Sequence, residues 1–214
     1  MLPRTLVQYW HQFPLPADIE QLTESWRSCN PWLAIEHFDD TKASMFLLQE
    51  YGDEIKKLYQ SAALPAMKSD IFRVAYCLAY GGMYIDMATK CLSSIEPLFA
   101  NEDKLTVMRK WHGGIWNGLI ICQASNPTLN AIWEMILENL RTKAFNDVWR
   151  ATGPYNFNEA IDKQYENKLD EKAQAICVLE QRAINTYFDL VNDLEHKKNN
   201  HWSDIQKNQS IYKE

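Results

Sequence analysis

The chain has 214 residues, 46% of them hydrophobic, enough for one domain with its own core and too apolar for a mainly disordered protein. A formal net charge of −6 with no dominant basic block argues against duplex nucleic acid as a partner. The five cysteines (29, 77, 91, 122, 177) are odd in number and show no CxxC spacing, so they read as small buried hydrophobes in a reducing compartment. No apolar run approaches the ~20 residues a membrane span needs. The opening Met1-Leu2-Pro3-Arg4 runs into a strand-like stretch without a signal-peptide pattern, so the expected location is the cytoplasm.

In chain order, Thr5–Trp10 predicts a first strand, closed by a loop holding Pro14 and Pro16. Ile19, Leu22 and Trp26 fall at helical spacing within a helix over Asp18–Arg27, and Asn30-Pro31 ends it. Trp32–Phe38 alternates as a second strand. Asp40 is a candidate cap for the helix that follows through Tyr59, and Ser61–Pro65 is a connector. A helix then carries Lys68-Ser69-Asp70-Ile71-Phe72-Arg73, and Gly81-Gly82 stops it. Met83–Ile85 reads as a brief buried strand, and Cys91–Leu98 as a short strand or turn. Leu105–Arg109 and Gly118–Gln123 read as strands around the loop Trp111-His112-Gly113-Gly114, where His112 is a candidate base or acceptor-site group, although a loop histidine is more often simply solvated. Asn126-Pro127 opens a helix with Ile132, Met135, Ile136 and Leu140 inward. Thr152-Gly153-Pro154 is a break before a helix from about Asn156, and Ile176–Leu179 is a late strand. The tail from Asn192 is polar, interrupted by His201-Trp202. Strands alternating with helices predict an α/β sandwich, whose ligands bind at the carboxyl ends of strands; Trp10, Asp86 and Gln123 are expected near such ends.

The chemistry concentrates between Lys68 and Asp86. Asp70 and Arg73 are three residues apart and share a helix face, with Ile71, Val74, Ala75 and Leu78 covering the rest of an amphipathic helix. Asp86 follows a strand, where a side chain opens into a cleft. Singly, such features are commonplace: an acid–base pair on a helix is often a weak surface pair, and an Asp after a strand is often a turn residue. Eight tryptophans and ten tyrosines suit a core, and equally a site that stacks bases or sugar rings.

The segment Ala66–Asp86 resembles the donor-sugar signature of retaining glycosyltransferases with DXD-type sugar-binding regions, glycosyltransferase family 32, with the clostridial glucosylating toxins as distant relatives. Val7-Gln8-Tyr9-Trp10 is similar to the family's opening Ile-His-Gln-x-Trp strand, Asn117-Gly118 and Asn126-Pro127 to its central segment, Thr152-Gly153-Pro154 to its Thr-Gly-Pro loop, and His201-Trp202-Ser203 to its terminal His-x-x-Ser-Trp neighbourhood. The resemblance implies one GT-A domain over 1–214, an α/β nucleotide-sugar-binding fold with a mixed central sheet. Residues 1–125 would mainly bind the sugar nucleotide, and 126–214 would form the acceptor side and a closing segment.

It further implies catalytic roles for Asp70, Arg73 and Asp86, the first two on hydroxyls of the transferred sugar. Donor contacts would come from Tyr9 or Trp10 stacking on the base, from Lys68 and Ser69 at an anion-favouring helix start, and from Tyr84, Met87, Ala88, His201 and Trp202. Asn117, Gly118, Thr152, Gly153 and Pro154 would face the acceptor. The implied cofactor is Mn²⁺ or Mg²⁺, with Asp86 and His201 as candidate ligands. Asp86-Met87-Ala88, however, has alanine where the DXD pattern has its second acid, which leaves metal dependence open. Lys90, Arg109, Lys110 and His201 are then the basic residues left to offset the diphosphate. The implied activity is transfer of a hexose from a nucleoside-diphosphate sugar to a glycan hydroxyl in bacterial surface-polysaccharide synthesis. A lipid-linked acceptor and peripheral association with the inner membrane face are included. The alternatives are a sugar-nucleotide- or glycan-binding pseudoenzyme and a protein-modifying effector.

Overall fold

The computed structural model describes residues 1–191, 193–194 and 202–213. Strand β1 (Thr5–Tyr9) leads to α1 (Ala17–Cys29), β2 (Ala34–Phe38), α2 (Asp40–Ser61) and α3 (Pro65–Tyr80). Next come β3 (Gly82–Ile85), β4 (Thr89–Cys91), a 3₁₀ turn (Glu96–Ala100), β5 (Leu105–Arg109) and β6 (Ile115–Cys122). The remainder is α4 (Pro127–Thr142), α5 (Val148–Ala151), α6 (Pro154–Gln164), α7 (Leu169–Ala175), β7 (Ile176–Glu180), α8 (Gln181–Ile184), β8 (Phe188–Leu190) and α9 (Trp202–Ile205).

Six strands form a mixed sheet in the order β2-β1-β3-β6-β5-β7. β1 runs parallel to β2 and β3, whereas β6 is antiparallel to both β3 and β5. β4 pairs separately with β8. Because strand side chains alternate, Val7, Tyr84, Val107 and Ile120 face a core shared with α2, α3 and α4. Leu6, Met83, Met108 and Ile121 face the other core, with Trp26 of α1 and Phe188. The expected α/β fold with helices on both faces of a mixed sheet is what the chain adopts. All five cysteines are free thiols.

Helix α3 departs from the amphipathic expectation: every residue from Met67 to Leu78 is buried, including Lys68, Ser69, Asp70 and Arg73. It lies between α2, α4 and the sheet, so no face is left for solvent. It also begins at Pro65, earlier than expected. The Lys68 N–H is therefore already bonded to Leu64 O (3.2 Å), and Ser69 lies one residue further in, so neither occupies an anion-binding helix start. Gly81 (φ 71°) stops the helix as predicted, and a Cβ there would sit 2.7 Å from Ala124 N. The cap of α2 is Asp39, which accepts from Lys42 N–H at 2.8 Å, leaving the Asp40 side chain for another role. Gln123, expected near the same strand ends as Trp10 and Asp86, lies elsewhere. Since β6 runs antiparallel to β3, Cys122 pairs with Gly82 and Gln123 emerges at the opposite end from Asp86.

Candidate active site

The floor of the site is Arg73 and the groups it holds. Its guanidinium donates from Nε to Ser69 O (3.1 Å), from Nη1 to Asn117 O (2.9 Å) and from Nη2 to Ser69 Oγ (2.8 Å). Nη2 also pairs with Asp70 Oδ1 at 3.3 Å and with Asp86 Oδ1 at 3.0 Å. The plane of the group lies over the Tyr84 ring, 4.6 Å from its centroid. Burial alone would disfavour this cation, but Asp86, Tyr84 and Asp70 outweigh it and raise its pKa. A planar five-donor fork is what allows one side chain to join α3, β3 and β6.

Asp70 is satisfied on both oxygens: Asn117 Nδ2 donates to Oδ1 (2.8 Å) and Thr152 Oγ1 to Oδ2 (3.1 Å). Burial pushes its carboxyl up to about 6, against the pull of Arg73 and the Asn117 and Thr152 hydrogen bonds. Asn117 and Thr152, expected on the acceptor side, thus converge on this floor. Gly153 and Pro154 form the turn from α5 into α6 that brings Thr152 there.

Asp86 is the open member of the cluster, its side chain 29% exposed against 8% for Asp70 and 6% for Arg73. Tyr84 Oη donates to Asp86 Oδ1 (2.8 Å) and is itself 2.8 Å from Ser69 Oγ. The donors then run in one direction, from Arg73 through Ser69 and Tyr84 to Asp86. Against the other oxygen lies Gly118, where a Cβ would fall 2.4 Å from Asp86 Oδ2 and 2.2 Å from the Trp116 indole. The β6 residues reach this point because the pairing with β5 jumps from Val107↔Ile120 to Met108↔Trp116. Asn117–Leu119 have no β5 partner in that register, which releases the Asn117 carbonyl for Arg73. Trp116 is the residue the sequence reading missed; an aromatic two positions before a glycine in a strand was the available signal.

Other expected donor residues are dispersed. Lys68 Nζ pairs with Asp40, which also accepts from Tyr59 Oη (2.6 Å) and Tyr9 Oη (3.2 Å). This network borders a separate groove of about 410 Å³ beside Ser44, Lys56 and Lys213. Tyr9 is 5% exposed and packs 5.7 Å from the Phe72 ring, so its ring is core and cannot stack on a base. Trp10, partly buried, is the aromatic at the end of β1 that retains an open surface. Met87 is buried (2%) with Ile19 and Leu22. Trp202 packs partly buried at the margin of the main core. His201 lies outside the described residues. His112 is exposed, as read.

Residues 16–105 match the family model "Glycosyltransferase sugar-binding region containing DXD motif", a span that holds Asp70, Arg73 and Asp86. Two curated relatives are similar. An uncharacterized glycosyltransferase of Acanthamoeba polyphaga mimivirus is 23% identical over 171 residues, covering 78% of this chain and 67% of the relative. The initiation-specific alpha-1,6-mannosyltransferase of Schizosaccharomyces pombe is 30% identical over 142 residues; the match takes in 58% of this chain and 36% of that protein. Among solved structures, the PaToxG glycosyltransferase aligns with a TM-score of 0.64 at 16% identity, over 80% of this chain and 74% of that one. The UDP-bound glycosyltransferase domain of the YGT toxin aligns with a TM-score of 0.54 at 11% identity, over 89% and 83%. The fold is therefore that of GT-A-like glycosyltransferase domains, and the sugar-binding region and relatives support a glycosyltransferase.

A DXD motif implies a divalent cation, and the described residues do not fit one. Ala88 has no donor and packs against the apolar group of Ile19, Leu22, Met87 and Leu194. Asp86 Oδ1 is already committed to Tyr84 and Arg73, leaving one oxygen on one carboxylate. No group of three His, Cys, Asp or Glu able to hold a metal ion occurs among the described residues. Hard divalent cations require several oxygen ligands, and this set supplies too few.

Proposed function

We propose that the protein is a retaining glycosyltransferase that moves a hexose from a nucleoside-diphosphate sugar to a glycan hydroxyl. The observation that carries this reading is the Arg73-centred cluster. A buried guanidinium and carboxylate form a floor beneath one open carboxylate, Asp86, inside the matched sugar-binding region. Carboxylates accept from sugar hydroxyls and a fixed guanidinium donates to them, so such a floor orients a hexose by its hydroxyl pattern. The mannosyltransferase relative supports a hexose donor, and the UDP-bound neighbour supports a nucleotide one.

In the transfer, the bond from the anomeric carbon to the β-phosphate oxygen breaks and its electron pair leaves with the diphosphate. The acceptor oxygen bonds to the same face of that carbon, and its proton passes to the departing phosphate oxygen. Asp70, Arg73 and Asp86 would hold the sugar while positive charge builds at its anomeric carbon, so catalysis is positioning and electrostatics. A lipid-linked glycan acceptor in bacterial surface-polysaccharide synthesis, at the cytoplasmic membrane face, is the proposed setting. Among the described residues no helix is long and apolar enough to cross a membrane.

A thermal-shift screen of UDP- and GDP-sugars tests the reading. A cognate donor at about 100 times its Kd should stabilise the fold by about 2.7 kcal/mol. Slow release of free sugar should accompany it. A shift without any sugar release or transfer would favour the second reading, a sugar-nucleotide-binding pseudoenzyme, which the alanine at position 88 keeps in play. No shift with any donor would remove both.

A further inference from the structure

Two cations lie around the Asp86 site, one against its carboxylate and one on the neighbouring Trp116. Arg73 is built into the floor, where it serves Asp70, Asp86, Ser69 and the Asn117 carbonyl. The other is Lys110, at the end of β5, where its N–H bonds to Gly114 O (3.1 Å) and closes the turn into β6. From there its half-buried side chain folds back across Trp116, with Nζ 5.4 Å from the ring centroid. That indole rests on Gly118, directly beside Asp86 Oδ2. Burial lowers the Lys110 pKa, and the negative charge of Asp86 acts in the opposite direction. Among the described residues no carboxylate lies within ion-pair distance of Lys110. The neighbouring Arg109, by contrast, is tied to Glu180 at 3.2 Å.

An ammonium without an ion-pair partner among the described residues, held on an aromatic face at a site whose described residues lack the ligands for a divalent cation, has a specific use. We propose that Lys110, carried on Trp116 beside Asp86, supplies the positive charge that balances the diphosphate of a nucleoside-diphosphate sugar in place of a metal ion. The inference rests on the sugar-nucleotide reading and goes beyond it by naming the group that stabilises the leaving diphosphate. The physical requirement is general: negative charge on a departing diphosphate needs a fixed cation, and a lysine on a short tether meets it as a point charge. Trp116 sets where that charge sits. Gly118 gives the indole room, because any side chain there would collide with both the ring and Asp86.

Calorimetric titration of the full chain with UDP and GDP, and with uridine and guanosine as controls, tests this with and without chelator or added Mn²⁺. Wild-type protein should bind one of the diphosphates equally well in chelator and in Mn²⁺. Lys110→Ala should weaken that diphosphate by about ten- to a hundredfold, the range for a lost charge-assisted contact, while leaving the matching nucleoside unchanged. Lys110→Arg should recover most of the loss. The melting temperature of Lys110→Ala should stay close to wild type, since the side chain is only half-buried and has no ion-pair partner among the described residues. Diphosphate binding that Lys110→Ala leaves intact, or that requires Mn²⁺ in the wild type, would overturn the role of Lys110 while sparing the sugar-nucleotide reading. Failure of both diphosphates to bind under every condition would overturn both.

Discussion

At the scale of single residues, Arg73 is the group on which the site depends, and its value lies in shape as much as charge. Its three nitrogens reach two carboxylates, a hydroxyl and two carbonyls on separate elements. Arg73→Lys keeps the charge but replaces the fork with a point donor, so at least three of those partners lose their contact. Transfer activity should fall by about tenfold or more, since a lost charge-assisted contact is worth about 1.5–3 kcal/mol. Steady-state kinetics on the variant would check this, and activity within threefold of wild type would reduce Arg73 to a structural ion pair. Asp70 adds a pH dependence. Its carboxyl is raised by burial to about 6 in the folded state, above the ~3.9 of an unfolded chain. The folded protein therefore favours the protonated form, and this stabilising contribution is present below about 4 and lost as pH rises through about 6. Activity moves the other way if ionised Asp70 is needed to accept from a sugar hydroxyl. The rate should fall on the acid side with a midpoint near 6, and Asp70→Asn should abolish that limb along with most of the activity.

At the scale of elements, two local devices position the cluster. The slip in pairing between β5 and β6 takes Asn117–Leu119 out of the ladder and turns Asn117 toward both Asp70 and Arg73. Gly118, inside that stretch, is the only residue type that leaves space for Trp116 and Asp86 together. Gly118→Ala should leave the fold in place yet move one of those side chains, lowering transfer by about ten- to a hundredfold, consistent with the sensitivity of positioned groups to displacements near 1 Å. A circular dichroism melt beside an activity assay separates this from unfolding. The glycine pair at the end of α3 has a different character. Gly82 (φ 92°) would bring a Cβ to 2.8 Å from Thr5 O, against the neighbouring strand β1. Gly82→Ala combines an unfavourable backbone angle with a backbone collision, and should cost roughly 1–3 kcal/mol or more in chemical denaturation.

For the whole molecule, the missing second acid of the DXD pattern has a measurable consequence. If the diphosphate is balanced by protein charge, wild-type turnover should persist in chelator, with less than a threefold change on adding Mn²⁺. Ala88→Asp restores a hard oxygen ligand near Asp86 and should make Mn²⁺ stimulate the enzyme, at some cost in stability because position 88 borders an apolar cluster. Complete loss of wild-type activity in chelator, restored at micromolar Mn²⁺, would show that a metal is held after all.

Much of this protein was legible in the order of its residues. Local periodicity marked β1, α1, β2, α4 and the helix carrying Asp70 and Arg73, because apolar spacing and Gly or Pro punctuation act over a few residues. The same range made Asp70, Arg73 and Asp86 visible as one constellation, since a single helix, a glycine stop and a four-residue strand separate them. What local pattern could not reveal was anything that depends on strand direction or long-range register. The antiparallel course of β6 put Gln123 at the far end of the sheet and Gly118 beside Asp86. Burial of α3 on all sides hid its amphipathic appearance. Thr152 reached Asp70 from 82 positions away, and Lys110 came over Trp116 only because a hairpin folded it there. Sequence spacing determined which charged groups the site contains; tertiary packing alone decided which of them is satisfied within the fold and which remains to meet a ligand.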